Sequence, residues 1–532
     1  MNNKDDLIMF DDSARAKLAQ GVTTLAKAVG VTLGPKGRNV VIDARYGDPR
    51  ITKDGVTVAR EVKVSDHYEN IGVRIARGAA EKQLEEAGDG TTTVTVLTDA
   101  IVGGSMKLIA AGFNPMDLKR GIDYASKAIC ERLKVSVVPV ADGDVRKIAL
   151  VSANGDIEIA DKIDEAIKQV GKFGILTVEE WPLADVGLEI LDGLMFDRGF
   201  YHDSFINTEH YTCELENPII LIFDGKMAHL SKISPFLSEV ISNGNRPVLL
   251  IAETFEDEVL NTLILNKTKG NKQICAVKTP AFGKLKDELI GDIAAMVGTE
   301  IFGARATKSL ENVRMVDGGS ARRVLIGRKN TLIVGGAGGK EAIQSRSRML
   351  EEELKTASGN DKRNLEIRLA SLNGGIGVLK AGGSTDLEIK EKKDRIDDAI
   401  CAVKCAINSG ILPGGGAALL NASKLIVKPT GESEEFYAGF ELVKTSVKAP
   451  LNLIASNSGY NGDLVVTSVM NSVDFNEFGF NARTGNYEDL IKAGVIDPAL
   501  VVISAMRNAS SVAGLLITTE CILKKEEIIN DL

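Results

Sequence analysis

Residues 87–97 read AGDGTTTVTVL. Gly88 and Gly90 flank Asp89, and Thr91, Thr92 and Thr93 then run into an apolar segment. Glycine lets the backbone adopt positive φ and approach a ligand closely. Threonine hydroxyls and successive N–H groups at the opening of a helix suit phosphate oxygens. An aspartate in that turn suits Mg2+, which takes one or two carboxylates and completes its shell with phosphates and water. An ordinary Asp-Gly turn before a threonine helix start has the same spelling. The choice rests on what accompanies it.

The chain has 532 residues, too many for one core, and a prior of about three or four domains follows. With 44% hydrophobic and 26% charged residues it has the make-up of an ordinary globular protein. A net charge of −9 disfavours a surface that tracks nucleic-acid phosphates, so no nucleic-acid partner is expected. The six cysteines are scattered; Cys401 and Cys405 fall one helical turn apart, but no Cys/His pair matches them, so buried thiols in a reducing compartment are expected. The opening MNNKDDLIMF has neither an apolar core nor Arg-rich amphipathic character, and no leader is read there. No apolar run approaches the roughly 18 residues of a membrane span. A cytoplasmic location, with no membrane partner, is the expectation.

Working outward, Asp11 or Asp12 is placed to cap a helix carrying Leu18, Val22, Leu25 and Val29 at helical spacing. VTLGPKGRNVVI (31–42) and ITKDGVTVAR (51–60) each put a glycine turn before a β-prone run. Asn114-Pro115 breaks one amphipathic helix and starts the next. From 217 to 334 apolar strands (PIILIFD, PVLLIAE, ICAVK, TLIVGG) alternate with helices, the pattern of an α/β layer structure. Residues 342–372 read as a helical hairpin turning at Ser358-Gly359-Asn360-Asp361. Residues 388–409 read as a long helix with Ile396, Ile400, Val403 and Ile407 on its core face. Asp398 is turned roughly 200° from both Ile396 and Ile400 and so points away from that core. LPGGGAALL (412–420) is a second glycine-opened helix, and Asn481 and Asp497 lie in polar loops near the end.

Together these stretches resemble the group I chaperonins, the bacterial Hsp60/GroEL family. VTLGPKGRNVV, ITKDG, AGDGTTT, AGFNPMDLKRGID, MFDRG, EIKEKKDRIDDA, PGGGAALL and SSVAGLLITTEC stand in family order, from about residue 12 to 523. The resemblance implies an α/β multidomain chain with nested domains. A mostly helical equatorial ATPase domain would take 1–135 and 409–532, a small intermediate domain 136–192 and 376–408, and an α/β apical domain 193–375. Gly193 and Gly375 would form the upper hinge, Pro139 and Gly410 the lower.

The implied activity is ATP hydrolysis coupled to protein folding, with ATP, Mg2+ and K+ bound. Thr32, Leu33, Gly34 and Pro35 would line the nucleotide pocket with Lys53 nearby. Asp89 would ligate Mg2+, and Gly90, Thr91, Thr92 and Thr93 would hold phosphates. Gly415, Asn481, Ala482 and Asp497 would contact the nucleoside, and backbone at Thr32 and Lys53 a K+ ion. Asp54 and Asp398 would position the attacking water, with Asp397 as the competing carboxylate. Phe200, Phe205, Leu237, Leu260, Ile264 and Leu265 match the apical strip that binds unfolded polypeptides and then a small GroES-like ring co-chaperonin. A heptameric ring, single or double, is implied.

The departures from the family pattern are specific. Ser204 and Ser234 stand where apolar residues are usual in the client strip. Arg483 replaces a small residue beside Asn481. Asn452 and Asn461 replace an Arg and a Glu that pair between rings, and the chain ends LKKEEIINDL in place of a Gly/Met-rich tail. A divergent paralogue is expected. Two rivals remain: a small-molecule kinase, for which no acceptor constellation is present, and a binding or scaffold protein that keeps the fold with reduced folding activity.

Overall fold

The computed structural model describes residues 8–524 apart from 44–48, 142, 154, 172–173, 182–184, 209–210, 245, 271, 304–312, 358–360, 362–363, 366–367, 370, 373–374 and 473–476. The expected turn at Ser358–Asn360 and the final LKKEEIINDL segment beyond Lys524 lie outside the described residues. The chain divides into two compact units, one of residues 1–164, 178–187 and 380–532, the other of 165–177 and 188–379.

The first unit is mainly helical. Its helices bury the residues that the spacing predicts: Leu18, Val22, Leu25 and Val29 of Asp11–Gly30 are all at most 2% exposed. The cap of that helix differs from the expectation. Phe10 holds the cap position and makes no side-chain cap bond, while Asp11 and Asp12 sit in the first turn, where carboxylates favour the helix dipole. Asn114 does cap Pro115–Val135, its Oδ1 accepting from Met116 N at 2.8 Å.

Glycine pairs let helices cross closely. A Cβ on Gly21 would lie 1.9 Å from Glu69 O and one on Gly72 2.1 Å from Leu18 O, so Asp11–Gly30 and His67–Ala87 meet backbone to backbone. Gly121 and Gly439 do the same for Pro115–Val135 and Glu434–Ser446. The two ends of the unit are tied by an antiparallel pair, Ile8–Phe10 with Cys521–Leu523. Two helices, Thr91–Ala110 and Ala499–Ile517, are long and apolar enough to cross a membrane, contrary to the sequence expectation. Valine, leucine, isoleucine and alanine raise their mean hydropathy, threonine, serine and glycine interrupt the apolar run, and both helices contribute to the buried core.

The second unit is built on a sheet in the order Ile274–Lys278, Val248–Phe255, Ile219–Met227, Gly319–Ile326, Thr331–Gly336, Gly193–Phe196. The first three strands are parallel and the rest antiparallel. Ile219, Ile220, Leu221 and Ile222 are all buried, the continuous apolar run expected of a strand covered on both faces. Helices Ser234–Ser242, Asp257–Thr268 and Gly283–Val297 pack their apolar stripes into the same core. All six cysteines are free; four are buried as expected, while Cys401 and Cys521 are exposed.

Candidate functional site

Three loops of the first unit meet around the AGDGTTT segment. The first leaves Asp11–Gly30, with Thr32 N and Leu33 N donating to Val29 O and Gly30 O at 3.1 Å. Gly34 has φ +89° and faces Ile454, so a side chain there would be both strained and crowded. Asn457 clamps this loop: its Nδ2 donates to Gly30 O and to Leu33 O, both at 2.9 Å.

The second loop carries Lys53 and Asp54 into the short helix Gly55–Glu61. Asp54 caps it, Oδ1 accepting from Val56 N at 3.1 Å and Oδ2 from Thr57 N at 3.0 Å and Thr57 Oγ1 at 2.6 Å. Its carboxylate is thereby fixed in direction. A Cβ on Gly55 would lie 2.2 Å from Thr92 Oγ1 and 3.0 Å from Thr91 Oγ1, so the absence of a side chain brings this loop onto the threonines.

The third loop is Gly88-Asp89-Gly90. Gly88 (φ +72°) ends His67–Ala87 and Gly90 (φ +83°) precedes Thr91–Ala110. No side chain caps that second helix, which leaves its first N–H groups facing outward. Gln83, fully buried, donates from Nε2 to Asp89 O at 2.9 Å and Val501 O at 3.1 Å and so holds the loop in place. Thr91 and Thr92 are buried and Thr93 half-buried, and Thr32 Oγ1 lies 3.4 Å from Thr92 Oγ1.

Two further elements close the site. Asp386–Ser409 buries Ile396, Ala399 and Ile400, exposes Asp397 and leaves Asp398 half-buried. Asp398 faces Asp54 and Asp89; dense surroundings first, then those two carboxylates, push its pKa well above the ordinary range. The outward direction read from the sequence is thus toward the glycine loops, with Asp398 half-buried there and Asp397 exposed. Arg50 pairs with Asp394 of the same helix at 3.2 Å. Opposite, Ile411–Pro413 pairs with Ile496–Pro498, which sets Leu412 against Asp497. Asp497 accepts from Gly415 N–H, yet burial and the Asp89 charge push it up to about 7. Burial also raises Asp89, with Asp54 adding to it. Gly414 must be small, because a Cβ would lie 2.9 Å from Asp497 Oδ1.

Among the described residues, no three acidic, histidine or cysteine side chains converge to hold a metal by themselves. Carboxylates gathered around Asp89 nevertheless fit a divalent cation that draws its other ligands from phosphates and water. Asn481 sits less freely than expected: its Nδ2 donates to Glu488 Oε1 at 2.9 Å and its Oδ1 accepts from Arg483 N at 3.1 Å. Gln83 and Asn457 were missed by sequence reasoning, and Gly55 was read only as a turn glycine. Of the two missed, only Gln83 left a signal, as a polar residue on the Ala79, Ala80, Ala87 core face.

The TCP-1/cpn60 chaperonin family model matches residues 25–527. The chain belongs to that family. Chaperonins of this family are ATPases that assist protein folding. Among solved structures, this chaperonin is similar to the chaperonin gp146 of bacteriophage EL 2 (Pseudomonas aeruginosa), crystallised in the presence of ATP-BeFx. Crystal form II has 23% identity and TM-score 0.69, covering 98% of this chain and 99% of gp146. Form I has 24% identity and TM-score 0.63 over the same shares. At such identities the likeness is one of fold.

In the chaperonin's second unit the six strip residues are not equivalent. Leu265 is exposed and Phe200, Leu237 and Ile264 are half-buried. Phe205 and Leu260 belong to the core, at 0% and 9% exposure, which corrects their expected place on the surface. Phe205 closes a short 3-10 turn and points inward, and Leu260 lies on the same helix face as Val259 and Leu263. Ser234 is exposed and Ser204 half-buried.

Proposed function

We propose that this chain is a group I-type chaperonin that hydrolyses ATP to drive capture and release of non-native polypeptides. One observation carries the reading: Asp398, from a helix remote in sequence, faces Asp54 and Asp89 where two glycine loops meet Thr91 and Thr92. Thr32, Leu33, Gly34, Pro35 and Lys53 line the nucleotide's path, and Gly90 with Thr91, Thr92 and Thr93 offers N–H and hydroxyl donors to phosphate. Asp89 would hold Mg2+, which when bound would supply neutralisation of phosphate charge, and backbone at Thr32 and Lys53 would take K+. Gly415, Ala482 and Asp497 receive the nucleoside, with Asn481 contributing its remaining amide hydrogen.

Asp54 and Asp398 would orient water, and Asp398 would accept its proton as the new O–P bond to the γ-phosphorus forms and the bond from that phosphorus to the β,γ-bridging oxygen breaks, with ADP as the leaving group. Burial and the neighbouring carboxylates raise its pKa, which makes it a stronger proton acceptor than an exposed carboxylate. The three-domain division, with hinges at Gly193/Gly375 and Pro139/Gly410, gives this chemistry a lever: closure of the long helix completes the site. Phe200, Leu237, Ile264 and Leu265 offer apolar surface to clients and to a small ring co-chaperonin, and seven copies form a cytoplasmic ring. The test is refolding of a chemically denatured enzyme. Yield should rise only with Mg2+ and ATP together; equal yield without nucleotide contradicts the reading.

A second reading, a binding scaffold with reduced folding activity, is favoured by the strip itself. Two of its six residues are buried and Ser204 and Ser234 interrupt it. Apolar burial is worth about 1.5–3 kcal/mol per side chain. Ser204→Tyr with Ser234→Leu should therefore tighten binding of a denatured client in a titration, and unchanged affinity would remove those positions from the client surface.

A further inference from the structure

The hairpin of Phe478–Asn481 and Asn486–Asp489 ends in Arg483, whose side chain leaves its own element. Arg483 Nη2 donates to Gly155 O at 3.4 Å. A Cβ on Gly155 would lie 1.8 Å from Nη2 and 2.5 Å from Cζ, so the guanidinium occupies the space that any side chain at 155 would need. Gly155 also has φ +86°, and its N–H donates to Leu150 O at 2.7 Å, which fixes the loop that presents the carbonyl. The next residue, Asp156, starts Ile157–Val170 by accepting from Ile159 N at 3.2 Å and takes Arg395 Nη1 at 3.4 Å. Arg395 lies one turn before Asp398 on the long helix and is also held by Glu391. The helix before the loop, Asp144–Ser152, packs along that same helix.

A continuous set of contacts therefore runs from the residue after Asn481 and Ala482, through Gly155 and Asp156, to the helix that presents Asp398. We propose that Arg483 is a positioning residue: it braces the Gly155 loop against the nucleoside end of the site, and so holds Asp398 over the glycine loops. This rests on the ATPase reading for its consequence in turnover, but the brace itself is a property of the nucleotide-free chain. A guanidinium suits the task because its planar fork lies flat on a glycine and still donates to the carbonyl; an ammonium makes the hydrogen bond without the flat contact. The contact is solvent-facing, so its effect is modest: a loss of roughly three- to fivefold in kcat, the scale of one exposed charged interaction.

The test uses the full-length chain and four variants: Arg483→Ala, Arg483→Lys, Gly155→Ala and Arg483→Ala with Gly155→Ala. Two readouts are taken, amide hydrogen exchange over residues 144–160 and 386–400 without nucleotide, and ATP hydrolysis alongside equilibrium binding of a non-hydrolysable ATP analogue. Arg483→Ala should speed exchange in both segments and lower kcat with analogue affinity little changed, and Arg483→Lys should fall between it and the parent. Gly155→Ala should act like Arg483→Ala and, since it removes the same contact, add less in the double variant than alone. Unchanged exchange in Arg483→Ala overturns the brace, whatever the ATPase result. Affinity falling in proportion to kcat also overturns it, since Arg483 would then be a nucleotide contact. Parent-like turnover in Asp398→Ala would instead strike the ATPase reading, and exchange would still decide the brace.

Discussion

Asp497 shows how burial sets the chemistry of a single carboxyl. Packed beneath Gly414 and facing Asp89, it is held protonated to about pH 7 in the metal-free chain. Unfolded, it would titrate near about 4. The folded state thus binds the extra proton between those values, so its stability is complete below about pH 4 and is lost as pH rises to about 7. At most about 4 kcal/mol is involved. In chelator, Asp497→Asn should match the parent's melting temperature at pH 4 and exceed it at pH 8; a constant difference across that range would show that Asp497 is not held neutral. Mg2+ with nucleotide should narrow the gap by stabilising the parent's ionised carboxylates. The family resemblance named these acids, and its motif register chose Asp398 over Asp397, while helical phase showed only that Asp398 points away from its own helix's core. Their mutual repulsion was not legible, because residues 89, 398 and 497 meet only through tertiary packing.

At the scale of elements, glycine does the positioning. Gly55 lets the Asp54 loop rest on Thr91 and Thr92, and Gly21 with Gly72 lets two helices touch along their backbones. Gly55→Ala would force a Cβ within 2.2 Å of Thr92 Oγ1 and displace the donors at the head of Thr91–Ala110. Overpacking of this kind costs about 1–3 kcal/mol. The variant should remain folded by circular dichroism with a lower melting temperature and should lose most nucleotide affinity; parent-like affinity would show that the threonines do not hold phosphate.

Helix periodicity, the Asn114-Pro115 break and the apolar strands of the second unit were readable because they are local patterns. The clamps were not. Asn457 reaches Leu33 across 424 residues of sequence and Gln83 reaches Val501 across 418, with no spacing to announce either. The buried positions of Phe205 and Leu260 were missed for a related reason: an apolar residue reads the same whether its face is covered or open.

For the whole molecule, the proposed ring places Asn452 and Asn461 on the face toward a second ring. Each amide is engaged within its own chain. Asn452 Nδ2 donates to Asp463 Oδ1 at 2.7 Å, and Asn461 Oδ1 caps Gly462–Met470 by accepting from Leu464 N at 3.1 Å. Neither carries a charge with which to pair across rings, and charge-assisted bonds are roughly twice as strong as neutral ones. Symmetry repeats the deficit around the ring. More single rings are expected than for a chain with the Arg/Glu pair, and Asn452→Arg with Asn461→Glu should shift native mass toward double rings, despite about 0.5–2 kcal/mol lost with the cap. Stable fourteen-mers of the parent at low concentration would contradict this.

The account turns on Asp398 acting at a site built by residues from both ends of the chain. The direct measurement is ATP turnover by Asp398→Ala at saturating Mg2+ and ATP, with bound nucleotide measured on the same samples. Occupancy equal to the parent with turnover reduced roughly 100-fold is the predicted result. Parent-rate turnover at equal occupancy would contradict it.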